Sequence, residues 1–355
     1  MASTIGGPSH FASRYGINKA ASGPLLTAVL AASLVRSAAY DVEAAGASFR
    51  RDGFAVLEGF AGADEVAAMK GAMAELEAGY WASPQAAQAT VFRTDAGQSG
   101  AQAQSRYFFD SADATHFFEE PDGKRLNKAG HALHLRRDAF GAYSRSAKVA
   151  KLLEALGYVR PVLPQSMYIF KPPAVGGSVT SHQDASFLRT APAQTVAGLW
   201  LALDDATLAN GCLWVRNGSH VEPVRRLFVR DGEQDPSMVF VRPPPDDSGA
   251  NHLAPPFLDA ARRAAPARVP WEGSDVDEGD LAARGYAAVP AAAGTLVVFA
   301  GTLDHLSLPN TSPLPRHTFQ LHVVESAGVA WHASNWLQTA RPGGFLALGA
   351  ESGEL

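Results

Sequence analysis

A chain of 355 residues can bury a large core, and its length alone admits one large domain or two. A net charge of −5 with no basic block excludes a nucleic-acid surface as the main function, and no apolar run reaches the roughly 20 residues that cross a bilayer. Cys212 is the only cysteine, which closes off intrachain disulfides and zinc-finger spacing and points to a reducing, intracellular compartment.

Residues 1–39 are rich in Ala, Ser and Gly, carry Arg14, Lys19 and Arg36, and have no acid before Asp41. They read either as an organelle transit peptide or as a plain N-terminal extension, so the location is cytoplasmic or organellar. One folded domain is expected over 40–345. FRRDGFAVLEGF (49–60) reads as a short strand with a Gly turn. In the next stretch Val66, Met69, Met73 and Leu76 fall at helical spacing, with Asp64 placed to cap the start. Residues 81–125 are mixed and include the aromatic run YFFDSADATHFFEE; 126–160 reads as a loop followed by helix ending at Gly157.

From 161 onward the texture is that of strands. VLPQSMYIF, TVAGLWLALDD, GCLWVR, GTLVVFAG and HTFQLHVVE are rich in Val, Leu, Phe and Trp, punctuated by Asn210-Gly211, Asn217-Gly218 and Gly294. Residues 241–290, dense in Pro, Ala and charge, read as a long surface insertion. Helices followed by many strands with long connections predict a mostly β fold, an antiparallel sandwich or jelly roll with helical cover.

The chemistry centres on QSMYIFKPPAVGGSVTSHQDASFLR (165–189). On an extended strand side chains alternate with period 2, so His182 and Asp184 point the same way. That pair is two-thirds of a facial iron site. His305 follows the strand GTLVVFAG and supplies a third ligand, completing a 2-His-1-carboxylate set. Arg316, eleven residues later, opens the next strand, where a guanidinium can take the distal carboxylate of a keto-diacid through two hydrogen bonds.

With these residues in view, the chain resembles the phytanoyl-CoA dioxygenase family of Fe(II)/2-oxoglutarate oxygenases from about residue 45 to about residue 338. The matching runs are NKAGHALH (127–134), QSMYIFK (165–171), GGSVTSHQDASFL (176–188), LDDATLANGCLW (203–214) and the His305-to-Arg316 spacing. The resemblance implies a double-stranded β-helix with cupin-like architecture. It implies His182, Asp184 and His305 as iron ligands, and Lys128, Met167, Trp200, Ser307 and Arg316 in contact with 2-oxoglutarate, along with the metal-ligand segment. It further implies oxidative decarboxylation of 2-oxoglutarate by O₂, giving succinate and CO₂, coupled to hydroxylation of a small or lipid-like substrate. Related halogenases have a small residue where Asp184 stands, so hydroxylation is the implied outcome.

Two departures accompany the match: Arg216-Asn217-Gly218-Ser219-His220 replaces a segment usually written with Pro before Gly-Ser-His, and the 241–290 insertion is longer than usual. The family name makes an acyl-CoA one substrate to consider, although no basic cluster stands out to receive its phosphates. Two other readings stand beside the hydroxylase: a metal- and 2-oxoglutarate-binding sensor without turnover, and a cupin-like Zn or Mn protein in which Arg316 is structural. His131, His134, His220, His317 and His322 exceed what one iron needs and read mostly as structural, and Cys212 reads as a buried hydrophobe.

Overall fold

The computed structural model describes residues 40–88, 90–91, 105–231, 237–241, 243 and 278–349. The first element is a helix, Val42–Asp52, opened by the Asp41 carboxylate, which accepts from the amides of Glu43 and Ala44 at 3.0 Å each. It stops at Gly53, whose φ of 87° suits a glycine at a helix end. The strand expected over 49–60 is therefore shorter: Phe49 to Asp52 form the last helical turn, and the strand is Phe54–Leu57. The second helix, Ala63–Trp81, buries Val66, Met69 and Met73 as their spacing predicts. Its cap is not Asp64, which lies inside the first turn. Glu65 reaches back instead and accepts from the Gly62 amide at 2.9 Å.

The stretch read as a loop at 126–131 is a strand, Leu126–His131, held on both sides by Thr115–Glu119 and Pro161–Ile169. Two flanking partners satisfy its backbone and override the weak strand preference of Asn, Lys and Gly. Helices Ala139–Ser144 and Ala147–Leu156 follow, and the second ends at Gly157 with φ 101°, as expected.

Two sheets form the body. The larger runs in the order Phe54–Leu57, Leu296–Ala300, Ala197–Ala202, Thr318–Glu325, Pro161–Ile169, Leu126–His131, Thr115–Glu119 and Thr90–Val91, antiparallel except for the last pair. The smaller is Tyr286–Val289, Leu213–Arg216, His305–Ser307 and Val179–His182, all antiparallel. Pro161–Ile169, Val179–His182, Ala197–Ala202 and Leu213–Arg216 alternate between the larger and smaller sheets, as do Leu296–Ala300, His305–Ser307 and Thr318–Glu325, the arrangement of the double-stranded β-helix of cupin-like proteins. A separate hairpin, Leu227–Asp231 with Ser237–Val241, stands beside them. Part of the segment read as a surface insertion is thus structural: Ser237–Val241 is a hairpin strand, Leu281 of the helix Glu278–Ala283 is fully buried, and Tyr286–Val289 edges the smaller sheet. Residues 244–277 lie outside the described residues, as does the 1–39 extension.

The period-2 alternation of the larger sheet separates two jobs. Leu199, Leu201, Phe319, Leu321 and Val323 join the helices Ala63–Trp81 and Ala147–Leu156 in the main apolar core. Their neighbours Trp200, Gln320 and His322 face the other way and line a cavity between the sheets. Truncating a fully buried ring such as Phe319 to Ala would cost about 3–5 kcal/mol.

Candidate active site

The smaller sheet brings the two histidines together. His182 ends its strand directly opposite His305 in the register, and their ring centroids lie 4.2 Å apart. Asp184 is not on the strand, contrary to the simplest reading of the motif; it opens a short turn, Asp184–Ser186. Gln183 between them stays extended (φ −115°, ψ 130°), which keeps the imidazole and carboxylate on one side. Its own side chain is tied back, donating to the Thr302 carbonyl at 2.9 Å and accepting from the Arg225 amide at 3.1 Å.

The donor atoms suit a metal ion. Nδ1 of His182 donates to the Thr180 carbonyl at 2.8 Å, and Nδ1 of His305 to the Leu303 carbonyl at 3.0 Å. Each ring therefore turns an unprotonated Nε2 toward Oδ1 of Asp184, at 3.5 and 3.8 Å. The three ligand atoms all lie within 4.8 Å of one another. Burial, with His182 alongside, pushes His305 down to about 4, so it stays neutral as a ligand must. Burial pushes the Asp184 carboxyl up, but His322, which donates to Oδ2, and the nearby His305 ring outweigh it and hold it well below the usual range. Two imidazoles and a carboxylate form the facial set that non-haem Fe(II) takes.

A buried network steadies this set. Asp304, next to His305, accepts from Ser181 and Tyr286 at 2.7 Å each and from Arg216 at 3.2 Å. Arg216 also forks onto Glu222, and Ser219 accepts from the Asp304 amide at 2.9 Å. Arg216 and Ser219, which flank the departure at Asn217, thus brace the third ligand. His322, read as structural, donates Nε2–H to Oδ2 of Asp184 at 3.0 Å and accepts at Nδ1 from Gln165 at 3.2 Å. A Cβ on Gly198 would lie 2.6 Å from the Phe299 ring and 3.1 Å from Asp184 Oδ2, so this strand comes close to the carboxylate because it carries no side chain there.

The triad opens into a cavity of about 660 Å³, a common size for small-molecule sites. Every residue named from the sequence lines it: His182, Asp184, His305, Lys128, Met167, Trp200, Ser307 and Arg316. Sequence reasoning missed Gln165, Lys171 and the placement of His131 and His322. Gln165 and His322 share their strands' cavity-facing period with Met167 and Gln320, which is the signal that could have found them.

One end of the cavity is cationic. Arg316 is buried, stacks over Trp200 at 5.5 Å, and donates only to Thr318 Oγ1 at 3.3 Å. Its Nε has no hydrogen-bond partner, and it has no carboxylate ion-pair partner among the described residues. Burial pulls it down to about 10. Lys171 donates to Ser307 Oγ at 3.0 Å and to the Gly177 carbonyl at 2.8 Å. Burial pulls Lys128 down to about 7; it lies 3.4 Å from His131 Nε2 and over the rings of Phe108 and Phe118. The cavity also has an aromatic wall: Phe108, which Lys128 faces, with Phe187, Phe228, Phe240 and Trp336.

The family model described as "Phytanoyl-CoA dioxygenase (PhyH)" matches residues 49–318. The chain belongs to the phytanoyl-CoA dioxygenase family. It is 35% identical over 305 residues to "Phytanoyl-CoA dioxygenase" of Arabidopsis thaliana, covering 82% of this chain and 92% of that protein. It is 37% identical over 303 residues to "Phytanoyl-CoA dioxygenase domain-containing protein 1" of Bos taurus, with the same two coverages. Among solved structures it shares its fold with the "non-heme alpha ketoglutarate dependent carbocyclase SnoK from nogalamycin biosynthesis" at TM-score 0.52 and 14% identity, covering 86% of this chain and 95% of that one. Family membership and the His-Asp-His group make this phytanoyl-CoA dioxygenase family protein a non-haem Fe(II), 2-oxoglutarate-dependent dioxygenase. No helix among the described residues is long and apolar enough to cross a membrane.

Proposed function

We propose that this dioxygenase converts 2-oxoglutarate and O₂ to succinate and CO₂ while hydroxylating a compact, apolar, lipid-like or ring-bearing molecule held against the aromatic wall. His182, Asp184 and His305 hold the Fe(II) ion, which supplies the O₂ and C–H chemistry when bound. Arg316 takes the distal carboxylate of 2-oxoglutarate, with Ser307 as a further donor. Lys128 adds positive charge, and Met167 and Trp200 flank the chain of the co-substrate. Phe187, Phe228, Phe240 and Trp336 exclude water and seat the apolar body of the substrate beside the metal. Asp184 fills the position that halogenation would leave open, which favours hydroxylation.

The observation that carries this reading is the pairing of a complete ligand set with a buried guanidinium that lacks a carboxylate partner among the described residues. A buried charge is stable only when paired, so an anionic ligand is the expected partner. The acyl chain of an acyl-CoA suits the aromatic wall as well as a free lipid does, and the choice between them is a matter for substrate screening. The lone buried cysteine favours an intracellular setting, cytoplasmic or, with residues 1–39 as a transit peptide, organellar.

The test is succinate formation from 2-oxoglutarate by protein loaded with Fe(II) under anaerobic conditions and then exposed to air. Iron-dependent succinate that disappears in Asp184→Ala is the expected result. Binding of 2-oxoglutarate without succinate, across a panel of apolar substrates, would favour a sensor. Absence of binding would overturn the role given to Arg316.

A further inference from the structure

The proton positions around Asp184 can be followed one bond at a time. The Gln165 amide nitrogen is only a donor, so Nδ1 of His322, 3.2 Å away, must accept. The ring proton of His322 then sits on Nε2 and points at Oδ2 of Asp184, 3.0 Å away. Oδ1, the other oxygen, is the one turned toward Nε2 of both His182 and His305. Both carboxylate oxygens are therefore committed, one to the ligand cluster and one to His322. All of this is buried: Gln165 is 6% exposed, His322 4% and Asp184 7%.

We infer that His322 and Gln165 are positioning residues that hold Asp184 as a one-oxygen ligand. The inference rests on the metal reading of the triad. Its functional content is a count of open positions. On an octahedral ion two imidazoles and one carboxylate oxygen leave three neighbouring sites, while a carboxylate bound through both oxygens leaves two. A co-substrate that chelates through two atoms needs the third site left over for O₂. His322 keeps that site open by occupying Oδ2, and Gln165 does so at one remove by fixing the tautomer of His322. Gly198 contributes the room in which Oδ2 meets His322, since a Cβ there would crowd that oxygen at 3.1 Å.

The experiment counts water on Mn(II)-loaded protein, without turnover, by water-proton relaxation before and after addition of 2-oxoglutarate. Wild type is expected to hold about three exchangeable waters on the ion, falling to about one when 2-oxoglutarate binds. His322→Leu releases Oδ2 to the ion, so the count falls by about a third before addition, and 2-oxoglutarate affinity drops about 10–100-fold. His322→Gln keeps an N–H near the position of Nε2 and restores the wild-type count. Gln165→Leu shifts the count in the same direction as His322→Leu by a smaller amount, and provides a reading if His322→Leu does not fold. A count of three and unchanged 2-oxoglutarate affinity in both leucine variants would overturn the inference while leaving the metal site intact. Wild-type protein that binds no Mn(II), or binds it undiminished in His182→Ala, would overturn the metal reading and the inference with it.

Discussion

The two ends of the cavity are built on opposite principles. At the triad, the bonds made by His182, His305 and Asp184 leave only the three metal-facing atoms for a metal: both Nδ1 atoms meet carbonyls, and His322 takes Oδ2. At the other end the chain stops short. Arg316 is buried with Nε unpartnered, and two buried amines, Lys128 and Lys171, line the same cavity. On the function proposed above, the satisfied network orients the metal and the incomplete one takes its counter-charge from the ligand. The difference separates what the fold supplies by itself from what it leaves to the co-substrate.

The comparison is broken most severely at the metal end. Asp184→Ala should abolish iron-dependent succinate formation and weaken metal binding by more than about 100-fold, since even outer partners of metal ligands cost about 10–100-fold. Calorimetric titration with Mn(II) checks the affinity. At the incomplete end the expected effect has two signs. Arg316→Leu should weaken 2-oxoglutarate binding by about 2–5 kcal/mol. Without the co-substrate it should leave stability unchanged or raise it by about 1–4 kcal/mol, because an unpaired buried charge has been removed. Denaturant melts with and without 2-oxoglutarate would show both, and a variant that loses stability in the absence of ligand would contradict the view of this end as incomplete.

Gly198→Ala tests how tightly the metal end is drawn. The added methyl meets the Phe299 ring and Asp184 Oδ2, so a loss of about 1–3 kcal/mol in stability and weaker metal binding are expected. The smallest effect is a pH dependence. Burial lowers Lys128 to about 7 in the folded chain, against 10.5 for the ordinary side chain. Between those values the unfolded chain binds the proton that the native state lacks, so this lysine makes the ligand-free protein more stable as pH rises from 7 toward 10. An anionic co-substrate reverses the preference: binding is strongest below pH 7, where Lys128 is already charged, and weakens as pH climbs above it. Lys128→Met should flatten that part of the profile of 2-oxoglutarate affinity against pH.

The same contrast explains what could be read from the chain. His182, Asp184, His305 and Arg316 were legible because they are polar residues at fixed spacing beside glycines and strand ends. Lys128, Met167, Trp200 and Ser307 became legible only through family resemblance, and all four do line the cavity. His322 and Gln165 were not recognised: the strand period they share with Gln320 and Met167 tells which residues share a face, and the partners across the sheet are needed to tell that this face lines the cavity. Leu126–His131 escaped for a related reason: its strand character comes from its partners on both sides, Thr115–Glu119 and the more distant Pro161–Ile169, not from its own residues. The helix Val42–Asp52 was signalled by Asp41 and Gly53, and the pattern FRRDGF was read from its strand end only.

The hairpin Leu227–Asp231 with Ser237–Val241 pairs with neither main sheet, yet places Phe228 and Phe240 on the cavity wall. It joins the body through Arg230, which donates to the Trp336 and Ser334 carbonyls, through ring contacts of Phe187 with Phe228 and Phe240, and through Leu227, which packs on Ala185. No metal ligand and no part of the cationic end lies on it. On the substrate placement proposed above, substrate choice and catalytic chemistry are written on different stretches of chain. Grafting this hairpin between relatives is the economical route to a new specificity, provided Leu227 is kept, because it packs on Ala185 beside the ligand Asp184.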